Sequence, residues 1–135
     1  MAIKYTTSIV GVTHEDLSGF FVGWPNPPSV ETLREILMGS DHFVIAMDGQ
    51  RVVGFATAVS DGVLTGFIPL LEVIAEYHGK GIGKELVRLI VSELGELYAI
   101  DLICDDELKP FYGDLGFVPM TAMVRRNYTA QCGKK

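Results

Sequence analysis

Residues 78–83, His-Gly-Lys-Gly-Ile-Gly, end a β-rich stretch and open the most strongly amphipathic segment of the chain, and this junction restricts the fold more than any other feature. After it, Ile82, Leu86, Leu89, Ile90, Val91 and Leu94 recur at helical spacing, which predicts a helix from Lys80 to about Glu96. Before it, residues 63–74 read as a strand in which Pro69 removes a ladder bond and implies a bulge or an edge. Beyond the helix, residues 98–104 are apolar except for Asp101, as expected of a strand buried on both faces and paired in parallel with a neighbour. Strand, helix and strand together predict a βαβ unit.

A glycine-rich turn at a helix start places several unpaired backbone N–H groups along the helix axis, where they and the helix dipole attract an anion. The dinucleotide pattern G-x-G-x-x-G fails here, because Lys84 stands three residues after Gly81. The Walker pattern fails as well, because Gly83-Lys84 is followed by Glu85 and position 78 is His. What remains, G-x-G-x-G, fits a diphosphate site, and it equally fits a tight turn that lets the helix begin close to a sheet. A nucleotide-phosphate binder using the same turn is one function class that stays open on this pattern.

The rest of the chain supplies elements around that unit. Ile3, Tyr5, Thr7 and Ile9 alternate with more polar neighbours and predict an opening strand. Thr13 to Asp16 offer a cap and early acidic residues for a short helix carrying Leu17, Phe20 and Phe21 and ending at Gly23. Trp24-Pro25-Asn26-Pro27-Pro28 excludes regular structure. Ser29 caps a second helix with Val30, Leu33, Ile36 and Leu37 on one stripe, closed by Gly39. Residues 42–47 and 52–59, joined across Asp48-Gly49-Gln50-Arg51, predict an antiparallel hairpin that continues past Asp61-Gly62 into the Pro69 strand. Asp105 or Asp106 can cap a short helix with Leu108, Phe111, Tyr112 and Leu115 on one side, and Phe117-Val118 and residues 120–126 are expected as closing strands.

Composition bounds the function. With 135 residues, 48% apolar and 21% charged, the chain is expected to form a single globular domain over residues 1–135. A formal charge of −6 argues against a nucleic-acid partner, and the adjacent cations Arg125-Arg126 read as solvated surface. No apolar stretch approaches the roughly 20 residues of a membrane-spanning helix, and residues 1–5 lack the apolar region of a signal peptide, so neither a membrane partner nor export is expected, and a cytoplasmic location is. Cys104 and Cys132 form no metal-ligand spacing and are expected as reduced thiols; no metal is expected.

Leu71-Glu72-Val73, followed after four residues by His78-Gly79-Lys80-Gly81-Ile82-Gly83, resembles the signature of the GNAT superfamily of acyl-CoA-dependent N-acyltransferases. In that signature an Arg or Gln precedes two residues, a Gly, any residue, and a Gly or Ala; Gly81 and Gly83 match the two fixed positions, and His78 stands where Arg or Gln is usual. Phe111-Tyr112-Gly113-Asp114-Leu115-Gly116-Phe117 resembles a second element of the family, an aromatic-Tyr helix ending in Gly-Phe. The resemblance covers nearly all of residues 3–128 and implies an α/β (α+β) fold: a mixed, mostly antiparallel central sheet of six to seven strands with about four helices.

The resemblance further implies an N-acetyltransferase that passes the acetyl group of acetyl-CoA directly to a primary amine of a small molecule or peptide, with no covalent enzyme intermediate. The cofactor diphosphate would lie on the backbone of His78, Gly79, Lys80, Gly81, Ile82 and Gly83. The pantetheine arm would lie where the strand of Leu71 and Val73 splays from residues 102–104, pairing with backbone groups of those two residues, and the N–H of Val73 would hold the forming oxyanion. Tyr112 would be the general acid that protonates the leaving thiolate, although its place on an apolar stripe also fits a core role. Asp105 falls where relatives carry a cofactor-contacting Asn, and it equally fits a helix cap. Glu72 is a candidate base, with Asp61, Asp101 or ordered water as rivals. Phe21 and Trp24, with Phe20 and the proline run, would form the acceptor pocket, and the acidic chain favours a cationic acceptor by steering. Relatives of this kind often form dimers, so a homodimer is an expectation. The alternative within the same fold is a sensor or structural module that binds acyl-CoA without turnover.

Overall fold

The structure, a computed structural model, describes residues 2–134. Alternation at the N-terminus yields strand β1, Ile3–Thr6, which pairs antiparallel with β2, His42–Asp48. A two-residue turn at Gly49-Gln50, with Gly49 at φ 61°, reverses the chain into β3, Arg51–Ser60, and β3 pairs antiparallel with β4, Thr65–Val73. After helix α2, Ile82–Leu94, strand β5, Ala99–Asp101, joins β4 in parallel, so the sheet runs β1-β2-β3-β4-β5. Asp61 shapes the β3–β4 turn by accepting the N–H groups of Val63, Leu64 and Thr65, which holds its carboxyl down at about 2.

Helix α1, Val30–Gly39, begins where the Ser29 hydroxyl accepts the N–H of Thr32 and covers one sheet face with Leu33 and Leu37; α2 covers the other. The apolar stripe of α2 is buried at Ile82, Leu86, Val87, Ile90 and Leu94, and each such side chain contributes about 2 kcal/mol by leaving water. Its fit depends on Gly54 in β3: a Cβ there would fall 2.9 Å from Leu86 Cδ1, so only glycine lets helix and sheet approach this closely. Strand β3 is buried on both faces from Val52 to Ala58 because the two layers meet across it.

The mixed, mostly antiparallel α/β architecture agrees with expectation, but among the described residues the sheet has five strands rather than six or seven and the α-helices number three rather than about four. The early helix is reduced to a 3-10 turn, Glu15–Leu17, where Thr13 and Asp16 exchange hydrogen bonds. The short third helix, α3, is Lys109–Gly113, preceded by a 3-10 turn at Asp106–Leu108. Residues 118–127 form no strand, and Met120 and Met123 are 88% and 95% exposed. A strand needs a partner edge, and β5 offers only three residues before the chain leaves the sheet. No helix among the described residues is long and apolar enough to cross a membrane.

Candidate active site

The sheet opens beside Pro69. On β3, Thr57 faces Leu70 and Val59 faces Phe67, so Ile68 and Pro69 together oppose the single residue Ala58, which is a bulge on β4. On the other side of β4, pairing with β5 stops at Phe67 opposite Asp101. Beyond that point the two strands part, and a cavity of about 430 Å³ lies between residues 68–72 of β4 and residues 102–105. The expected splay and its expected cause at Pro69 are both present.

Backbone alternation determines which groups the parted edge of β4 offers. Ile74 donates its N–H to the Val53 carbonyl at 2.8 Å, which fixes the phase of the antiparallel ladder. Glu72 therefore bonds toward β3, and the N–H and C=O groups of Leu71 and Val73 point away from it, toward the gap. One of these is already engaged: His78 Nε2 lies 2.7 Å from the Val73 carbonyl oxygen, so the ring donates there and closes the end of the strand. The residue in the usual Arg or Gln position thus makes a bond within the protein.

The glycine turn follows directly. Gly81 caps α2 at φ 83° and ψ 4°, a left-handed conformation that costs an L-residue roughly 1–2 kcal/mol. The first helical bond runs from the Glu85 N–H to the Gly81 carbonyl, which leaves the N–H groups of Ile82, Gly83 and Lys84 without helical partners. A Cβ on Gly79 or Gly81 would meet no protein atom within 4 Å, so the backbone is open to close approach. The turn is anchored from the other side by the Tyr77 hydroxyl, which donates to Asp48, with the Arg51 guanidinium over the Tyr77 ring. Of the residues expected here, Ile82 sends its side chain into the core and contributes backbone only, and Lys80 is exposed.

Glu72 and Tyr112 line the same cavity. Glu72 is half-buried on the sheet face opposite Leu71 and Val73, and its Oε1 accepts the Phe21 N–H at 2.9 Å. Burial lifts its carboxyl above the ordinary value, and the Phe21 bond pulls it partly back. Tyr112 is 9% exposed and packs edge-on against Phe111 and Phe117. Burial, and then the charge that Cys104 carries when ionised, raise its phenol above the ordinary value, so the group holds its proton at neutral pH. Burial makes the carboxyl a stronger base; it makes the phenol a weaker acid, but one that is in the protonated form a donor needs. Neither Asp61 nor Asp101 lines this cavity.

The remaining expected residues are sorted by their surroundings. Asp105 lines the cavity, and its side chain caps nothing; the following turn is closed by its backbone carbonyl, which accepts the Leu108 N–H. Trp24 lines the cavity. Phe21 does not: it is buried at φ 61°, between Trp24 and Phe55, and it supports the wall from behind. Arg126, read from the sequence as solvated surface, lines this cavity and a second one of about 520 Å³ formed by Trp24, Phe67 and the C-terminal segment. No local pattern signals it, because residues 127–133 reach the site only by folding back onto Asn26 and α1.

Residues 9–117 match the Acetyltransferase (GNAT) family. A Deinococcus radiodurans R1 protein of proposed acetyltransferase activity superimposes with a TM-score of 0.96 at 48% identity, over 98% of this chain and 94% of that one. A GNAT-family acetyltransferase of Streptococcus pneumoniae TIGR4 superimposes with a TM-score of 0.76 at 30% identity, over 93% of this chain and 98% of that one. Among curated proteins, the chain is 30% identical to GCN5-related N-acetyltransferase 2, chloroplastic, of Arabidopsis thaliana, over 76% of this chain and 48% of that protein. The chain spans about half the length of the first curated relatives it matches.

Proposed function

The chain belongs to the GNAT acetyltransferase family, and from that premise we propose that it transfers the acetyl group of acetyl-CoA to a primary amine. The observation that carries this reading is the meeting, in one cavity, of the parted β4 edge with a carboxyl whose basicity burial raises and a phenol that holds its proton at neutral pH. The residues present fit the donor: a strand edge with outward N–H and C=O groups for an amide-bearing arm, and an open glycine turn at a helix start for a diphosphate. Acetyl-CoA would supply the thioester whose C–S bond breaks as the new C–N bond forms.

Each protein group then has a definite task. The outward backbone groups of Leu71 align the arm along β4, and the Val73 N–H donates to the thioester oxygen as negative charge grows there. His78, Gly79, Lys80, Gly81, Ile82 and Gly83 present the turn that binds the diphosphate, and Asp105 borders the cavity beyond the end of β5. Glu72 takes a proton from the acceptor ammonium so that nitrogen can attack. Tyr112 gives its proton to the sulfur as the C–S bond breaks, and the protonated phenol is the form available at neutral pH.

The test is release of free thiol from acetyl-CoA in the presence of a panel of amines, paired with calorimetric titration of CoA. Thiol release that requires both the amine and Tyr112 is the expected result. Binding of CoA with no thiol released over any amine would make the protein a sensor, and thermal stabilisation by ATP or NAD with none by CoA would overturn the reading.

A further inference from the structure

The polar side chains lining the second cavity are those of Arg126, Asn127, Tyr128 and Gln131, and its one formal charge is the Arg126 guanidinium. Arg126 stands at the junction of the two cavities, which share it with Trp24, Pro69, Leu70 and Ile103. Among the described residues no carboxylate lies within ion-pair distance of Arg126. Beyond it, Asn127 and Gln131 line the second cavity, and both have their oxygens engaged. Asn127 Oδ1 accepts from the Thr129 N–H at 3.3 Å and its hydroxyl at 2.7 Å, and Gln131 Oε1 accepts the Asn26 N–H at 2.8 Å. The unengaged groups are mostly donors, two amide NH₂ groups, the guanidinium and the Tyr128 hydroxyl, against one further lone pair on Gln131 Oε1 and those of the Tyr128 oxygen. No Asp or Glu lines this cavity, and the rest of its wall is Phe67, Trp24 and other largely apolar surface.

The Gln131 end of this set is tied down. The Gln131 bond ties the C-terminal segment to the proline loop, and Gly133 lies so close to α1 that a Cβ on it would fall 2.8 Å from Thr32 Cγ2. Donors held in this way beside an apolar wall are matched by a ligand that brings oxygen acceptors, and a charged acceptor gains most, since hydrogen bonds to ionised groups are roughly twice as strong as neutral ones.

We infer that the second cavity is an acceptor subsite for an oxyanion: the amine acetylated by this protein carries a carboxylate or phosphate on an apolar body, and Arg126 selects it. The amine half of this inference rests on the acetyltransferase reading; the anion half rests on the donor set alone. The net charge of −6 favours a cation at long range, but screening limits that field to about 8 Å at physiological salt, and inside the cavity the guanidinium is the nearer charge.

The test is calorimetric titration with N-acetylphenylalanine, its amide, O-phospho-N-acetylethanolamine and N-acetylspermidine, which report on the subsite without turnover. Either anion should bind about tenfold or more tightly than the neutral amide, as a charged hydrogen bond implies. The tighter of the two anions identifies the source of the oxyanion. Arg126→Gln should abolish the preference, and Arg126→Lys should keep part of it. Equal binding of anion and amide, or tighter binding of N-acetylspermidine, would sink the subsite. Acetyl-CoA titrated into the same samples separates the two readings. Failure of wild type to bind it defeats the acetyltransferase reading whatever the anions do, whereas tight acetyl-CoA binding without anion preference defeats the subsite alone.

Discussion

The β4 edge, which runs on into the α2 turn, borders at Leu71 the cavity that Trp24 and Arg126 also line, yet the two sides are built from different parts of the chain. The first is mostly backbone: the outward groups of Leu71 and Val73, and the N–H groups at the start of α2, all within a continuous stretch that ends at Lys84. The second is mostly side chain, assembled from Trp24, Phe67, Arg126, Asn127 and Gln131, residues brought together across the whole sequence. On the proposed function, backbone recognition would read what every acyl-CoA shares. Side-chain recognition is where one acceptor can be told from another, so the two sides should fail independently.

Substitutions can break this division, and the largest effect is expected where the two sides meet. Glu72→Gln should lower kcat by about 10²–10⁴-fold, the range of a general base, while acetyl-CoA affinity stays unchanged. Wild-type kcat should fall on acidification through a value above the ordinary glutamate pKa of about 4.3, and the variant should lose that limb. The sign for stability is opposite. Because burial raises the Glu72 pKa, its contribution to stability is full below the unfolded value and is lost as pH rises through the folded one. Glu72→Gln removes that loss and keeps an acceptor for the Phe21 N–H, so Tm at neutral pH should be equal or higher; a clear drop would mean the carboxylate itself holds the loop.

Next in size, Gly81→Glu should weaken acetyl-CoA by about 100-fold or more, by placing a carboxylate at the helix start and a side chain on a left-handed backbone. The fold should survive, because a Cβ there meets no protein atom within 4 Å. Unchanged affinity by calorimetry would remove the turn from the site. Trp24→Ala should raise the KM of the acceptor about tenfold with acetyl-CoA affinity unaltered, since loss of one aromatic wall is worth about 1–2 kcal/mol. A parallel loss of acetyl-CoA affinity would show that the two sides are not independent. The smallest effect is that of Gln131→Ala, which removes one bond to the Asn26 N–H and should cost about 1 kcal/mol in urea unfolding, with a measurable loss of anion binding.

The legibility of the site follows the same line. The splay at Pro69 could be expected because proline lacks a donor and the consequence falls on its immediate neighbours, and the bulge is found there. The Ser29 cap, the Gly49 turn and the α2 stripe are local in the same sense. The closing strands were not to be had from the pattern of residues 117–126, since that pattern lacks the one thing a strand requires, an edge to pair with. Phe21 was assigned the wrong surroundings for a similar reason, and Arg126, exposed as expected, also borders two cavities. An aromatic on a loop can wall a pocket or support it from below, and an exposed arginine can face water or a cavity.

By itself, the sequence determined the central βαβ unit, the glycine turn on its helix and the facing of Leu71 and Val73 against Glu72, because strand alternation, helix periodicity and left-handed glycines depend on residues within a few positions of one another. Tertiary structure alone decided that His78 bonds to Val73, that Glu72 holds the backbone of Phe21, and that the last residues return to set Arg126 between two cavities. The contacts of Glu72 and Arg126 join groups far apart in the chain, and that of His78 depends on how the strand end meets the turn; their geometry exists only once the sheet has placed both ends.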